Sequence, residues 1–173
     1  MIIILEGPNK CGKTTLARHL IKNYGFAYFK DTRIETRELT NEQKKEVIEH
    51  DIEAQANLLK AIANDINLIV DRFHITEFVY GSLNRGYESN CINIAEEMLK
   101  GADVKVIYLC RYNNEAHNLQ VLYDEAFSNT KLPYLEFDIK ESKIELLNNY
   151  LNLDYTEEII MDEGKCTIWN MQY

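Results

Sequence analysis

The chain has 173 residues, 46% of them hydrophobic and 27% charged, which is the composition of a folded globular protein and excludes wholesale disorder. Its length suits a single domain with a real core. A formal net charge of -9 and a pI near 5.0 count against a nucleic-acid backbone as main partner, while leaving room for a local basic pocket.

The apolar opening Met1 to Leu5 is cut by Glu6, short of a signal segment, and no stretch reaches the roughly 20 apolar residues of a membrane span. Ile2 to Leu5 therefore reads as a strand buried on both faces of a parallel sheet. From Lys13, Leu16, Ala17, Leu20 and Ile21 recur at helical spacing until Gly25. Phe26 to Phe29 reads as a second strand. Asn41 to Asp65 is a long helix with Val47, Ile48, Ile52, Ala56, Leu59 and Ala63 as its apolar stripe. Asn67 to Asp71 is a third strand, Ile75 to Leu83 a helix broken by Asn84-Arg85-Gly86, and Cys91 to Lys100 a helix closed by Gly101. Val104 to Cys110 and Tyr134 to Asp138 are strands four and five, with helices at about 114–129 and 140–151. Strands alternating with helices imply βαβ units and a parallel sheet covered on both faces. No internal boundary is visible over 1–173, and 154–173 is an extension whose role the sequence does not state. Cys11, Cys91, Cys110 and Cys166 have neither metal-ligand nor disulfide spacing, as for unpaired thiols in a reducing cytosol.

Gly7-Pro8-Asn9-Lys10-Cys11-Gly12-Lys13-Thr14 satisfies G-x-x-x-x-G-K-[ST], between a buried strand and an amphipathic helix. Glycines at both ends let the backbone wrap a phosphate, with N–H groups inward and a helix N-terminus beneath. Lys13 then reaches the β- and γ-phosphates, and the Thr14 hydroxyl ligates Mg²⁺. The cofactor set read from this loop is ATP with Mg²⁺, held by Gly7 to Thr14 together with Thr15. The second constellation, Asp71-Arg72-Phe73, ends the third strand. Ligands in open α/β sheets sit outside the carboxyl ends of the strands, so Asp71 should face the same crevice as the loop. A carboxylate there can hold a Mg²⁺-bound water or accept a proton, and the arginine can grip a second phosphate. A strand-terminal Asp capping the next turn is the plainer alternative.

These residues resemble the thymidylate kinase group of P-loop deoxynucleoside monophosphate kinases. Glu6-Gly7 running into Gly12-Lys13-Thr14-Thr15 is similar to its E-G-x-D-x-x-G-K-[ST]-T opening. Asp71-Arg72-Phe73-His74-Ile75-Thr76-Glu77-Phe78-Val79-Tyr80 resembles its D-R-[YF]-x-x-[ST]-x-x-A-[YF] segment. The resemblance implies a three-layer α/β/α sandwich on a five-stranded parallel sheet. It implies transfer of the ATP γ-phosphoryl group to a deoxynucleoside monophosphate, thymidylate first among them. Lys13 and Thr14 match the phosphate and Mg²⁺ contacts, and Asp71 and Arg72 the pair serving the reaction centre and the acceptor phosphate. Thr76 and Tyr80 match the acceptor side, as does Arg33 or Arg37. Phe73 fits either a ring abutting the base or sugar, or a plain core aromatic.

The departures carry chemical weight. Where the family has Asp in the loop this chain has Asn9, and Lys10 occupies a position that some members make basic. Arg111 is the single Arg or Lys from Val106 to Thr130, so an arginine-bearing lid is absent or much reduced. Such an arginine is worth about 10³–10⁵ in rate, so Lys10, Lys13, Arg72 and Arg111 would have to supply the charge. Glu6 reads as orienting local backbone. His74 reads as a partly exposed structural histidine, with bonding a ligand or holding Asp71 as its alternatives. The partners expected are a nucleoside triphosphate and a small nucleotide, in the cytoplasm (the host's, for a phage protein). No nucleic acid or membrane is expected, and a homodimer is left open. Rival readings are a kinase acting on a nucleoside or on a modified base in DNA, and a non-catalytic nucleotide-binding descendant of a kinase.

Overall fold

A computed structural model describes residues 1–30, 36, 38–110 and 117–153. Its centre is β1 (Ile2–Glu6), buried at all five positions. A strand that exposes nothing needs a neighbour on each edge and a helical layer on each face. β3 (Leu68–Asp71) and β4 (Val104–Leu109) supply the edges, β2 (Ala27–Lys30) extends the sheet beyond β3, and β5 (Tyr134–Phe137) extends it beyond β4. All pairs are parallel and the order is β2-β3-β1-β4-β5, the five-stranded sheet the sequence implied.

The two-residue period of β1 sorts the core into two halves. Ile3 and Leu5 meet Leu16, Ala17 and Leu20 of α1 (Lys13–Tyr24) and Leu147 and Leu151 of α6 (Ile144–Leu151). Ile2 and Ile4 face the layer built by α2 (Asn41–Ile62), α3 (His74–Tyr80), α4 (Cys91–Leu99) and α5 (His117–Asn129). The stripe on α2 is buried as read at Ile48, Ile52, Ala56, Leu59 and Ala63, with Val47 half-buried. Thr40 and Gln43 start that helix with a reciprocal capping box.

Among the described residues, three helix boundaries differ from the sequence reading by three residues or more, two of them for a visible local reason. α3 stops at Tyr80 and becomes a π-helical turn, Gly81–Arg85, closed by left-handed Gly86. Tyr87 is what imposes this: its ring packs on Gly81, and its N–H donates to the Gly81 carbonyl at 3.3 Å. α6 begins at Ile144 rather than near 140, because Asp138 first holds a turn through the Lys140 N–H at 2.8 Å and the Ser142 N–H at 2.8 Å. α2 ends at Ile62, three residues before the expected Asp65. Arg33, Arg37, Arg111 and residues 154–173 lie outside the described residues. Among those described, no helix is long and apolar enough to cross a membrane.

Candidate active site

The loop between β1 and α1 is pressed against the end of β4. A Cβ on Gly7, at φ 134°, would lie 2.2 Å from the Leu109 carbonyl oxygen, and one on Gly12, at φ 104°, 2.8 Å from Ile139. No other residue fits either position. Lys10 also takes a left-handed φ of 62°. Alternation of this kind turns successive N–H groups towards one concavity. The Lys13 ammonium is buried and donates to the carbonyls of Gly7 at 2.9 Å and Pro8 at 2.6 Å, with the Cys11 sulfur at 3.5 Å. Burial holds the Lys13 pKa below the ordinary lysine value, against the opposing influence of Cys11. The same burial pushes the Cys11 thiol up, against the pull of Lys13.

β3 delivers the second group. Asp71 is 6% exposed, accepts a hydrogen bond from the Tyr28 hydroxyl at 2.6 Å, and keeps Oδ1 buried with no hydrogen-bond partner. Burial, and then the bond to Asp71, raise the Tyr28 pKa far above its usual value, so the phenol stays protonated and remains the donor. Tyr28→Phe leaves Asp71 without that donor. It is expected to cost about 1 kcal/mol, read as a lower urea midpoint at unchanged m-value.

Arg72 turns back over the loop with φ 75°, donates from Nη2 to Asn9 Oδ1 at 2.5 Å, and sets its guanidinium 5.7 Å from the centre of the Tyr80 ring. Beneath it the α3 N-terminus is held from β1. Glu6, wholly buried, accepts the N–H groups of Phe73 at 2.9 Å, Ile75 at 3.2 Å and Thr76 at 3.1 Å, and also the Thr76 hydroxyl. A first helical turn has orphan N–H groups and α3 has no cap of its own, so a carboxylate from another strand satisfies them. Thr76 passes the linkage on to the Tyr123 hydroxyl at 2.9 Å.

These groups surround one cavity of about 400 Å³, lined by Asn9, Lys10, Gly12, Lys13, Thr14, Thr15, Asp71, Arg72, Thr76 and Tyr80. Three further lining residues, Lys30, Glu77 and Arg85, were missed by the sequence reading. Lys30 stands opposite Asp71 in the β2–β3 register, a juxtaposition only the pairing creates. Arg85 bonds Glu77, and Tyr87 donates to Glu77 at 2.8 Å, both consequences of the π-helical turn. Gly7, Pro8 and Cys11 shape the loop from behind the lining. Of the two readings open for Phe73, the side chain takes the core one, 2% exposed and edge-on to His74. His74 corrects the expectation of partial exposure: it is fully buried, 3.8 Å from Glu96 and not on Asp71. Among the described residues no group of three His, Cys, Asp or Glu could hold a metal. The exposed Thr14 hydroxyl and the unpartnered Asp71 Oδ1, lining one cavity, do suit an ion carried in largely by phosphate oxygens.

No protein-family model matches the chain. The SPbeta prophage-derived uncharacterized protein YorR of Bacillus subtilis is 31% identical over 111 residues, 62% of this chain and 60% of that protein, so the match spans under two thirds of its length. The crystal structure of YorR in complex with phosphorylated GDP superposes with a TM-score of 0.60 at 23% identity, covering 90% of this chain and all of that one. Deoxyadenosine kinase from M. mycoides with bound dATP gives 0.55 at 23% identity, covering 88% of this chain and 100% of that one. Thymidylate kinase from Ehrlichia chaffeensis gives 0.57 at 18% identity, covering 88% and 98%.

The chain shares the α/β fold of these three solved structures. In open α/β sheets ligands sit outside the carboxyl ends of the strands, and here Lys13 and Asp71-Arg72 line one cavity at those ends.

Proposed function

We propose that this chain is an ATP-dependent nucleotide kinase that transfers the γ-phosphoryl group to a deoxynucleoside monophosphate. The observation that carries the reading is Arg72. A guanidinium with one nitrogen bonded to a neutral amide and another buried without a partner lines the same cavity as the P-loop lysine. A phosphate on the acceptor completes that guanidinium, which a nucleoside hydroxyl would not do. Thymidylate is the first acceptor to try, by the resemblance of the Asp71 to Tyr80 segment. The neighbours' ligands, dATP and phosphorylated GDP, make every deoxynucleotide worth including.

Transfer forms a bond between an acceptor phosphate oxygen and Pγ and breaks the bond from Pγ to the departing ADP oxygen. Little covalent chemistry falls to the protein, whose share is positioning and charge. Lys13 exchanges its loop carbonyls for β- and γ-phosphate oxygens, and Arg72 takes the acceptor phosphate. Thr14 and Asp71 are the residues that would hold Mg²⁺, which neutralises charge developing on the phosphate oxygens. Lys10 stands at the rim of the same cavity as a further cation. The expected result is ³¹P-detected formation of ADP and a deoxynucleoside diphosphate from ATP, Mg²⁺ and at least one deoxynucleoside monophosphate. Transfer to deoxynucleosides alone, or to nothing in the panel, rejects the reading.

A further inference from the structure

Tyr28 belongs to no motif in the sequence, yet its hydroxyl reaches the site from the edge of the sheet. β2 and β3 run parallel, with Tyr28 beside Ile69 and Lys30 beside Asp71. The two-residue period puts Tyr28, Ile69 and Asp71 on one face, where Ile69 joins the core shared with α1 and α6. On that face the Tyr28 hydroxyl donates to Asp71 Oδ2 at 2.6 Å, a diagonal contact that only the register creates. Oδ1 is left buried with no hydrogen-bond partner, while the residue as a whole lines the cavity with Lys13 and Thr14. Glu77, which also lines the cavity, is bound to the Arg85 cation. Asp71 is held instead by a neutral donor that leaves its charge in place. Its two oxygens are thereby made unequal, one bonded and one without a partner.

We infer that Tyr28 is a positioning residue that makes Asp71 a one-oxygen ligand and so tunes the site to Mg²⁺ over Ca²⁺. A carboxylate with both oxygens open can clamp a cation bidentately, a mode common for Ca²⁺ with its larger and more flexible shell. Mg²⁺ demands a near-octahedral shell, gives up its waters reluctantly, and is served by few carboxylates beside the phosphates. With Oδ2 committed to the phenol, Asp71 has Oδ1 alone to offer, to the ion or to one of its waters. That suits the smaller ion and handicaps the larger. Hydrogen-bonding partners behind a ligand fix its orientation, and their loss costs about 10–100-fold in metal affinity. The inference rests on the reading of Asp71 and Thr14 as the residues that hold Mg²⁺, and deepens it.

The test is calorimetric binding of a non-hydrolysable ATP analogue to wild-type protein, Tyr28→Phe and Asp71→Asn. Each is titrated in saturating Mg²⁺, in saturating Ca²⁺ and in EDTA. Wild type is expected to bind the analogue at least about tenfold tighter with Mg²⁺ than with Ca²⁺. Tyr28→Phe should bring that ratio to about threefold or less, with affinity in EDTA within about threefold of wild type. Retained binding in EDTA also shows that the variant is folded. Asp71→Asn should abolish the preference. A wild-type ratio kept in Tyr28→Phe but lost in Asp71→Asn overturns the inference and leaves Asp71 as a metal residue. A ratio unchanged in both variants overturns the inference and the metal reading of Asp71 together. Equal losses for Tyr28→Phe under all three conditions make Tyr28 merely structural and overturn the inference, as does a wild type with no preference for Mg²⁺. Binding is measured without turnover, so a protein that behaves as expected yet transfers no phosphoryl group rejects the kinase reading alone.

Discussion

Lys13→Met is expected to slow phosphoryl transfer roughly 10²–10³-fold, the usual cost of deleting one preorganised donor from a charge-stabilising site. Stability should change little. The ammonium is buried with its pKa held down, so wild type already bears a desolvation penalty that methionine removes, set against two lost bonds to loop carbonyls. Single-turnover rates and urea midpoints separate the two effects. A variant within tenfold of wild type would remove Lys13 from the phosphates. A variant that is slow only because it is unfolded would show a collapsed midpoint, which these opposing terms argue against.

The second large effect falls on stability. In Glu6→Gln an amide NH₂ must replace one of two oxygens, each of which accepts two donors from the start of α3. Whichever oxygen is lost, buried donors face a donor, and no solvent reaches them. The expected cost is about 3 kcal/mol, or a fall in Tm of roughly 6–12 °C for a chain of this size. The damage should spread to the site, since Arg72, Thr76 and Tyr80 all hang on that helix or its entry. The remaining folded protein should bind acceptor monophosphate more weakly than ATP is weakened. A midpoint within 1 kcal/mol of wild type would mean that Glu6 merely fills space.

The P-loop was legible because its chemistry is written in eight consecutive residues and its backbone demands glycine at two of them. Asp71 and Arg72 were legible through a ten-residue resemblance, and the sheet through the alternation of apolar runs with helical periods. What escaped is what depends on pairing across the fold. Lys30 reaches the cavity only through the β2–β3 register. Arg85 reaches it because Tyr87 packs on Gly81 and closes a π-helical turn where a uniform helix was expected. The reach of Glu6 to residues nearly 70 positions away follows from β1 and β3 being neighbours; in the sequence it had only local backbone to orient, and its part at the start of α3 was not readable. Asn9 was legible only as a departure from a family pattern, and its bond to Arg72 was not.

The left-handed backbone at Arg72 has a consequence for how such a chain can change. At φ 75° an arginine carries a local penalty of about 1–3 kcal/mol that glycine, free of a Cβ, would largely escape. Arg72→Gly should therefore relax the turn after β3 while removing the guanidinium from the cavity. A library sorted for thermal tolerance alone would drift towards that substitution, and one sorted for turnover would drift back. At this position the two selections are expected to pull in opposite directions.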